Sequence, residues 1–181
     1  LDPVPKTAWL LCDLAEDMAA GGATVLLGRS ATKRRVREMS ASGELARYRV
    51  VHFATHGLLP GQLAGSAEPG LVLTPEDGDG ESGNGYLTAS EIADLKLDAD
   101  AVILSACNTA AGGDRDGQAL AGLAKAFLYA QARAIVVSHW EVYEDAAVDL
   151  VAGMLGRTAD GSVGLAEAQR QAVAALIETG G

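Results

Sequence analysis

The chain has 181 residues, 49% of them hydrophobic but only 4% aromatic, which suits one α/β domain with a core of mainly Ala, Val, Leu and Ile. Its formal net charge is −10, from 24 acidic and 14 basic residues. That excess opposes binding to nucleic acid and to anionic membrane surfaces, and leaves a basic peptide or protein as an acceptable partner.

In chain order, Leu1-Asp2-Pro3-Val4-Pro5 is an abrupt opening without an initiator Met, as in a piece of a longer polypeptide. Nothing in the following stretch reads as a signal peptide, and no apolar run approaches the roughly 20 residues that span a bilayer. Trp9, Leu10, Leu14 and Met18 recur at near-helical spacing before Gly21-Gly22 stops the pattern. Cys12 lies in that stretch and reads as a small core residue. Cys12 and Cys107 are the two cysteines and form no disulfide framework, so the sequence reads as cytoplasmic.

Ala23 to Gly28 reads as a short buried strand. Ser30 and Thr32 offer caps for a basic helix, Lys33 to Met39, whose four cations read as a solvated face. Arg49 to Thr55 is the next strand. A long irregular stretch, Gly57 to Gly85, holds one strand-like island at Gly70 to Thr74. Thr88-Ala89-Ser90-Glu91 is a capping box that opens a helix to about Leu95. The strand Ala101 to Leu104 comes next, then a Gly-rich loop from Gly112 to Gly117 and a helix from about Gln118 to Gln131. Ala134 to Ser138 is a further strand, and helices near 144–156 and 163–177 close the chain.

Strands that alternate with helices and are continuously apolar predict a parallel sheet covered on both faces. Chemistry in such sheets collects beyond the carboxyl ends of the strands, where His56, Cys107 and His139 all fall. A histidine and a cysteine at one sheet edge are the minimum parts of a thiol nucleophile with its base. Cys107 also has a plain reading as a small buried residue. Its neighbours Ser105, Ala106, Asn108 and Thr109 place it in a turn of small residues, where backbone N–H groups can stabilise an oxyanion.

His52 and His56 sit about 13 Å apart on extended chain, with no partners to complete a metal site, so no metal is expected. His52 lies mid-strand and reads as a hydrogen-bonded core histidine. His56 precedes Gly57, which permits close approach of a substrate backbone. The Gly112 to Gly117 loop lacks the Gly-Lys-Ser/Thr ending of a phosphate loop, and its Asp114 and Asp116 would repel phosphate. No cofactor is expected. Acids beside a thiol suit a pocket wall for a basic or polar side chain, so Asp114, Asp116 and Glu141 are candidates for it. Trp140 is either a packing residue or a wall of the cleft.

The blocks His52-Phe53-Ala54-Thr55-His56-Gly57 and Leu104-Ser105-Ala106-Cys107-Asn108-Thr109-Ala110 resemble the His and Cys blocks of CHAT domains. These are caspase-like cysteine peptidase domains, often joined to tetratricopeptide repeats in bacteria. Gly122 to Ala130 and Val136 to Trp140 follow the same family, and 51 positions separate His56 from Cys107, near the caspase spacing. The resemblance runs from about Ala23 to near residue 175.

It implies a three-layer α/β/α caspase-type sandwich with a mostly parallel sheet, and a single domain over 1–181 whose N-terminal strand and helix are missing. It implies a cysteine endopeptidase in which Cys107 attacks the scissile carbonyl and His56 protonates the leaving amine. The backbone N–H groups of Gly57 and Cys107 would form the oxyanion hole. The partners implied are a protein or peptide substrate, and a repeat-containing regulatory module or the missing part of the same polypeptide. Two departures from the family pattern, Arg115-Asp116-Gly117 before the long helix and Trp140-Glu141-Val142-Tyr143-Glu144 after the last strand, lie near the expected cleft and bear on specificity. The alternative is a caspase-like interaction module in which catalysis is unused.

Overall fold

The apolar run Ala101–Leu104 is the central strand of a three-stranded parallel sheet in the computed structural model of this chain. The structure describes Trp9, Leu11, Cys12, Glu16 and residues 22–63, 66–76, 84–105, 114–138, 143–158 and 161–179, with backbone alone at 114–120, 144 and 179. Among the described residues six strands form: β1 (Val50–Phe53), β2 (His56–Leu58), β3 (Gly70–Val72), β4 (Tyr86–Thr88), β5 (Ala101–Leu104) and β6 (Ile135–Val137). The helices are α1 (Lys33–Ala41), α2 (Ala89–Ala93), α3 (Asp114–Tyr129), α4 (Glu144–Thr158) and α5 (Leu165–Thr179). The chain is therefore α/β, as the sequence predicts. It divides into two compact units, Leu26–Glu141 and a second made of Leu1–Val25 with Val142–Gly181.

In the larger unit the parallel sheet runs β1-β5-β6, with Val51 opposite Val102 and Phe53 opposite Leu104. Side chains alternate between the faces of a strand. Val51, Phe53, Val102, Leu104, Ile135 and Val137 share one face and join the main hydrophobic core. Helix α3 meets that core through Leu123, Ala126, Phe127 and Ala130, a stripe at i, i+3, i+4 and i+7. Val36 and Met39 of α1 and Ile92 of α2 complete it. The opposite face carries Val50, His52, Ala101, Ile103 and, one step beyond β5, Ser105.

The Gly57 to Gly85 stretch is not irregular throughout. Strands β2, β3 and β4 build a separate antiparallel sheet, with Leu71 opposite Leu87 and both fully buried. One close backbone approach beside it depends on glycine. Gly85 has φ +70°, and a Cβ there would lie 2.5 Å from the Leu73 carbonyl oxygen. The sheet is tied to the start of α1 by Thr74, whose N–H donates to Ala31 O at 2.9 Å and whose hydroxyl donates to Gly28 O at 2.7 Å.

Three further expectations are corrected. Residues 22–27 form no strand; Ala23 and Thr24 are exposed, while Leu26 reaches the core from irregular backbone. The strand before His56 ends at Phe53 rather than Thr55, because the chain turns there into the antiparallel sheet. Lys33 does not belong to a solvated face: it is 3% exposed, and its Nζ lies 2.8 Å from Glu91 Oε1. The other cations of α1 do behave as a polar face, Arg34 bonding Glu76 and Glu38, and Arg35 bonding Glu44. The expected caps are in place: Thr32 accepts from Arg35 N–H, and Thr88 with Glu91 forms a full capping box.

In the smaller unit α4 and α5 pack on each other. Val151, Met154 and Leu155 of α4 and Ala168 and Ala172 of α5 are buried. A Cβ on Gly153 would come 3.5 Å from that of Ala172, so small residues set the close approach. Trp9, Leu11, Cys12 and Glu16 are helical, within the stretch where a helix is expected; Leu10, Leu14 and Met18, on which that expectation also rests, lie outside the described residues.

Candidate active site

Strands β1 and β5 are parallel neighbours, and the ladder between them continues one residue past the end of β5, with Ser105 N–H donating to Phe53 O at 3.0 Å. His56 lies three residues after Phe53, and Cys107 two residues after Ser105. Both segments therefore leave adjacent strands at the carboxyl edge of one sheet. Cys107 itself lies outside the described residues, as do His139, Trp140 and Glu141.

His56 is half-buried and opens β2, paired in register with Val72 of β3. The turn that delivers it is held by Thr55, whose hydroxyl donates to Val72 O. Gly57 is buried and lies opposite Leu71. The direction of its amide follows from the ladder. Leu73 N–H donates to Gly85 O at 2.7 Å, so odd-numbered residues of the β3 segment bond toward β4. Gly70 and Val72 then bond toward β2, which makes His56 and Leu58 the hydrogen-bonded positions there. Gly57 is the alternate position, and its N–H points away from β3, toward the outer edge of β2.

Asp114 and Asp116 are not in a loop. Helix α3 begins at Asp114, so both lie in its first turn, where acidic residues complement the helix dipole. The Gly-rich stretch before them lies outside the described residues.

One interaction had no counterpart among the expected site residues. His52 Nε2 lies 2.7 Å from Ser105 Oγ. The ring is hydrogen-bonded, as its mid-strand position suggested, but it sits on the face of β1 opposite the main core. Its Nδ1 is shut off from solvent without a hydrogen-bond partner among the described residues. Burial pushes the imidazole down to about 4, so the ring is neutral at physiological pH. The sequence alone carries no signal for this pair: His52 and Ser105 fall on one face only through the register of the parallel strands β1 and β5.

Among the described residues no group of His, Cys, Asp and Glu could hold a metal ion, and no helix is long and apolar enough to cross a membrane.

A parallel sheet β1-β5-β6 with helices packed on it, beside a small antiparallel sheet, is consistent with an α/β caspase-like fold. The family model for the CHAT domain matches residues 4–180, and the chain belongs to that family. No curated protein and no solved structure matches the chain.

Proposed function

We propose that the chain is a cysteine endopeptidase domain acting on protein or peptide substrates through Cys107 and His56. The observation that carries this reading is the closure of the β1–β5 ladder at Ser105 and Phe53, which starts both catalytic segments from one place on the sheet edge. The Cys107 thiolate attacks the scissile carbonyl carbon, and the carbonyl electrons move onto oxygen. The N–H of Gly57, directed to the outer edge of β2, and that of Cys107 receive the oxyanion. Collapse of the tetrahedral intermediate breaks the C–N bond as His56 gives a proton to the departing amine, leaving a thioester. Water, deprotonated by His56, then cleaves the thioester and returns the thiol. Family membership supports the reaction class.

The test is cleavage of a peptide library by the wild type, Cys107→Ala and His56→Ala, together with labelling by a thiol-directed peptide probe. The expected result is cleavage and labelling by the wild type alone. Labelling of the wild type no faster than of Cys107→Ala overturns the peptidase and leaves a caspase-like interaction module.

A further inference from the structure

The proposed dyad leaves one polar pair of this sheet edge without a role. His52 and Ser105 lie on adjacent parallel strands, on the face away from the main core, and their side chains meet at 2.7 Å. Ser105 is bound to β1 twice, by its N–H to Phe53 O at 3.0 Å and by its hydroxyl to His52. The first bond belongs to any parallel ladder. The second requires these two side chains, and it falls one residue past the end of β5, two positions before Cys107 in the chain.

The state of the ring follows from its partners. Nδ1 is sealed from solvent and has no partner among the described residues. A buried N–H without an acceptor costs more than a buried lone pair without a donor. Nδ1 is therefore the bare nitrogen, and Nε2–H donates to Ser105 Oγ. The serine hydroxyl hydrogen is then free to donate onward, while its oxygen is fixed. A neutral ring, held so by burial, keeps this donor arrangement through the physiological pH range.

We infer that His52 and Ser105 are a positioning pair that fixes the direction in which the chain leaves β5 toward Cys107 relative to the His56 segment that leaves β1. The inference rests on the reading of Cys107 as the nucleophile. Neither residue touches substrate in this scheme; both act through the placement of Cys107. A change in that placement of about 1 Å is enough to cost about 100-fold in rate.

The test uses Ser105→Ala, Ser105→Thr and His52→Gln in a Cys12→Ser background, so that Cys107 is the single thiol. Three quantities are read: the rate of Cys107 alkylation by iodoacetamide across pH, kcat and KM for a cleaved peptide, and thermal stability. Ser105→Ala is expected to slow alkylation by about threefold or more and to lower kcat by about tenfold or more with KM within about twofold. Ser105→Thr, which keeps the hydroxyl, is expected to restore most of both. Alkylation and kcat within about twofold of wild type in Ser105→Ala overturn the pair. So does a loss that Ser105→Thr fails to restore, or one that follows thermal stability alone. The alkylation comparison decides the pair whether or not a peptide is cleaved. Cleavage by the wild type decides the dyad, so the two failures are distinct.

Discussion

The rings of Phe53 and Phe127 meet with centroids 5.5 Å apart and planes tilted by 45°. Phe53 is the last residue of β1, and its carbonyl accepts the bond that closes the β1–β5 ladder. Phe127 is fully buried on α3. The pair thus fixes the end of the strand before His56 against the longest helix of the larger unit. With aromatics at 4% of the chain, it is a large single contact in a core otherwise made of small aliphatic side chains.

Removing the helix side of that contact should be costly. Phe127→Ala is expected to destabilise by about 3 to 5 kcal/mol, the range for emptying a fully buried aromatic site. Phe127→Leu retains most of the volume and should cost about 1.5 kcal/mol or less. Urea unfolding followed by circular dichroism separates the two. A loss below about 1 kcal/mol for Phe127→Ala contradicts the buried placement.

Glu91 serves three groups at once. Its carboxylate accepts from Thr88 N–H at 3.1 Å, pairs with the buried Lys33 at 2.8 Å and lies 3.9 Å from Arg37. Glu91→Ala removes the carboxylate half of the α2 capping box, leaving the Thr88 cap, and the carboxylate facing a cation that is 3% exposed. The expected loss is about 3 kcal/mol or more, because a buried charge stripped of a partner is worth more than a surface pair. Glu38→Ala, which breaks an exposed pair with Arg34, should cost under about 1 kcal/mol. Equal losses in the two variants would refute the distinction.

Stability should depend on His52 in a defined pH window. Its folded value is about 4 against an ordinary value of 6.5. The unfolded chain therefore binds more protons between those limits, and stability rises with pH through the window. His52 makes its full contribution above about pH 6.5, loses it as pH falls toward 4, and has no further effect below. The upper bound on the change is about 3 kcal/mol. His52→Gln should flatten this part of a stability profile taken from pH 7 to 4. A profile unchanged by the substitution would show that the ring is not held neutral by the fold.

The acids near the expected cleft should govern the residue accepted before the scissile bond. Asp114→Asn, Asp116→Asn and Glu141→Gln are each expected to weaken cleavage after Lys or Arg relative to neutral residues, by about tenfold for an acid that faces the substrate. Profiling with a peptide library reads this directly. An unchanged profile in all three variants removes these acids from the pocket.

Several elements were legible from local pattern. Helices α1, α2, α4 and α5 start within two residues of their expected positions, because caps and apolar spacing are local signals. Strands β5 and β6 were equally clear from short apolar runs, although only β5 is fully buried and β6 is half-buried. The antiparallel sheet was legible only at β3, the expected island beginning at Gly70. Its partners β2 and β4 are three residues each, too short to show a periodicity. Lys33 was misread for a related reason, since its partner Glu91 is 58 positions away in sequence.

The sequence by itself determined the class of the fold, the family and the two segments that carry His56 and Cys107, since these reside in local composition and in blocks of adjacent residues. Tertiary structure alone decided which strands are neighbours. That pairing sets the register, and the register places His52 beside Ser105, turns the Gly57 N–H to the outer edge of β2 and buries Lys33 against Glu91. Each of these depends on backbone hydrogen bonds or ion pairs between residues far apart in the chain, whose free energy exists only once the sheet has closed.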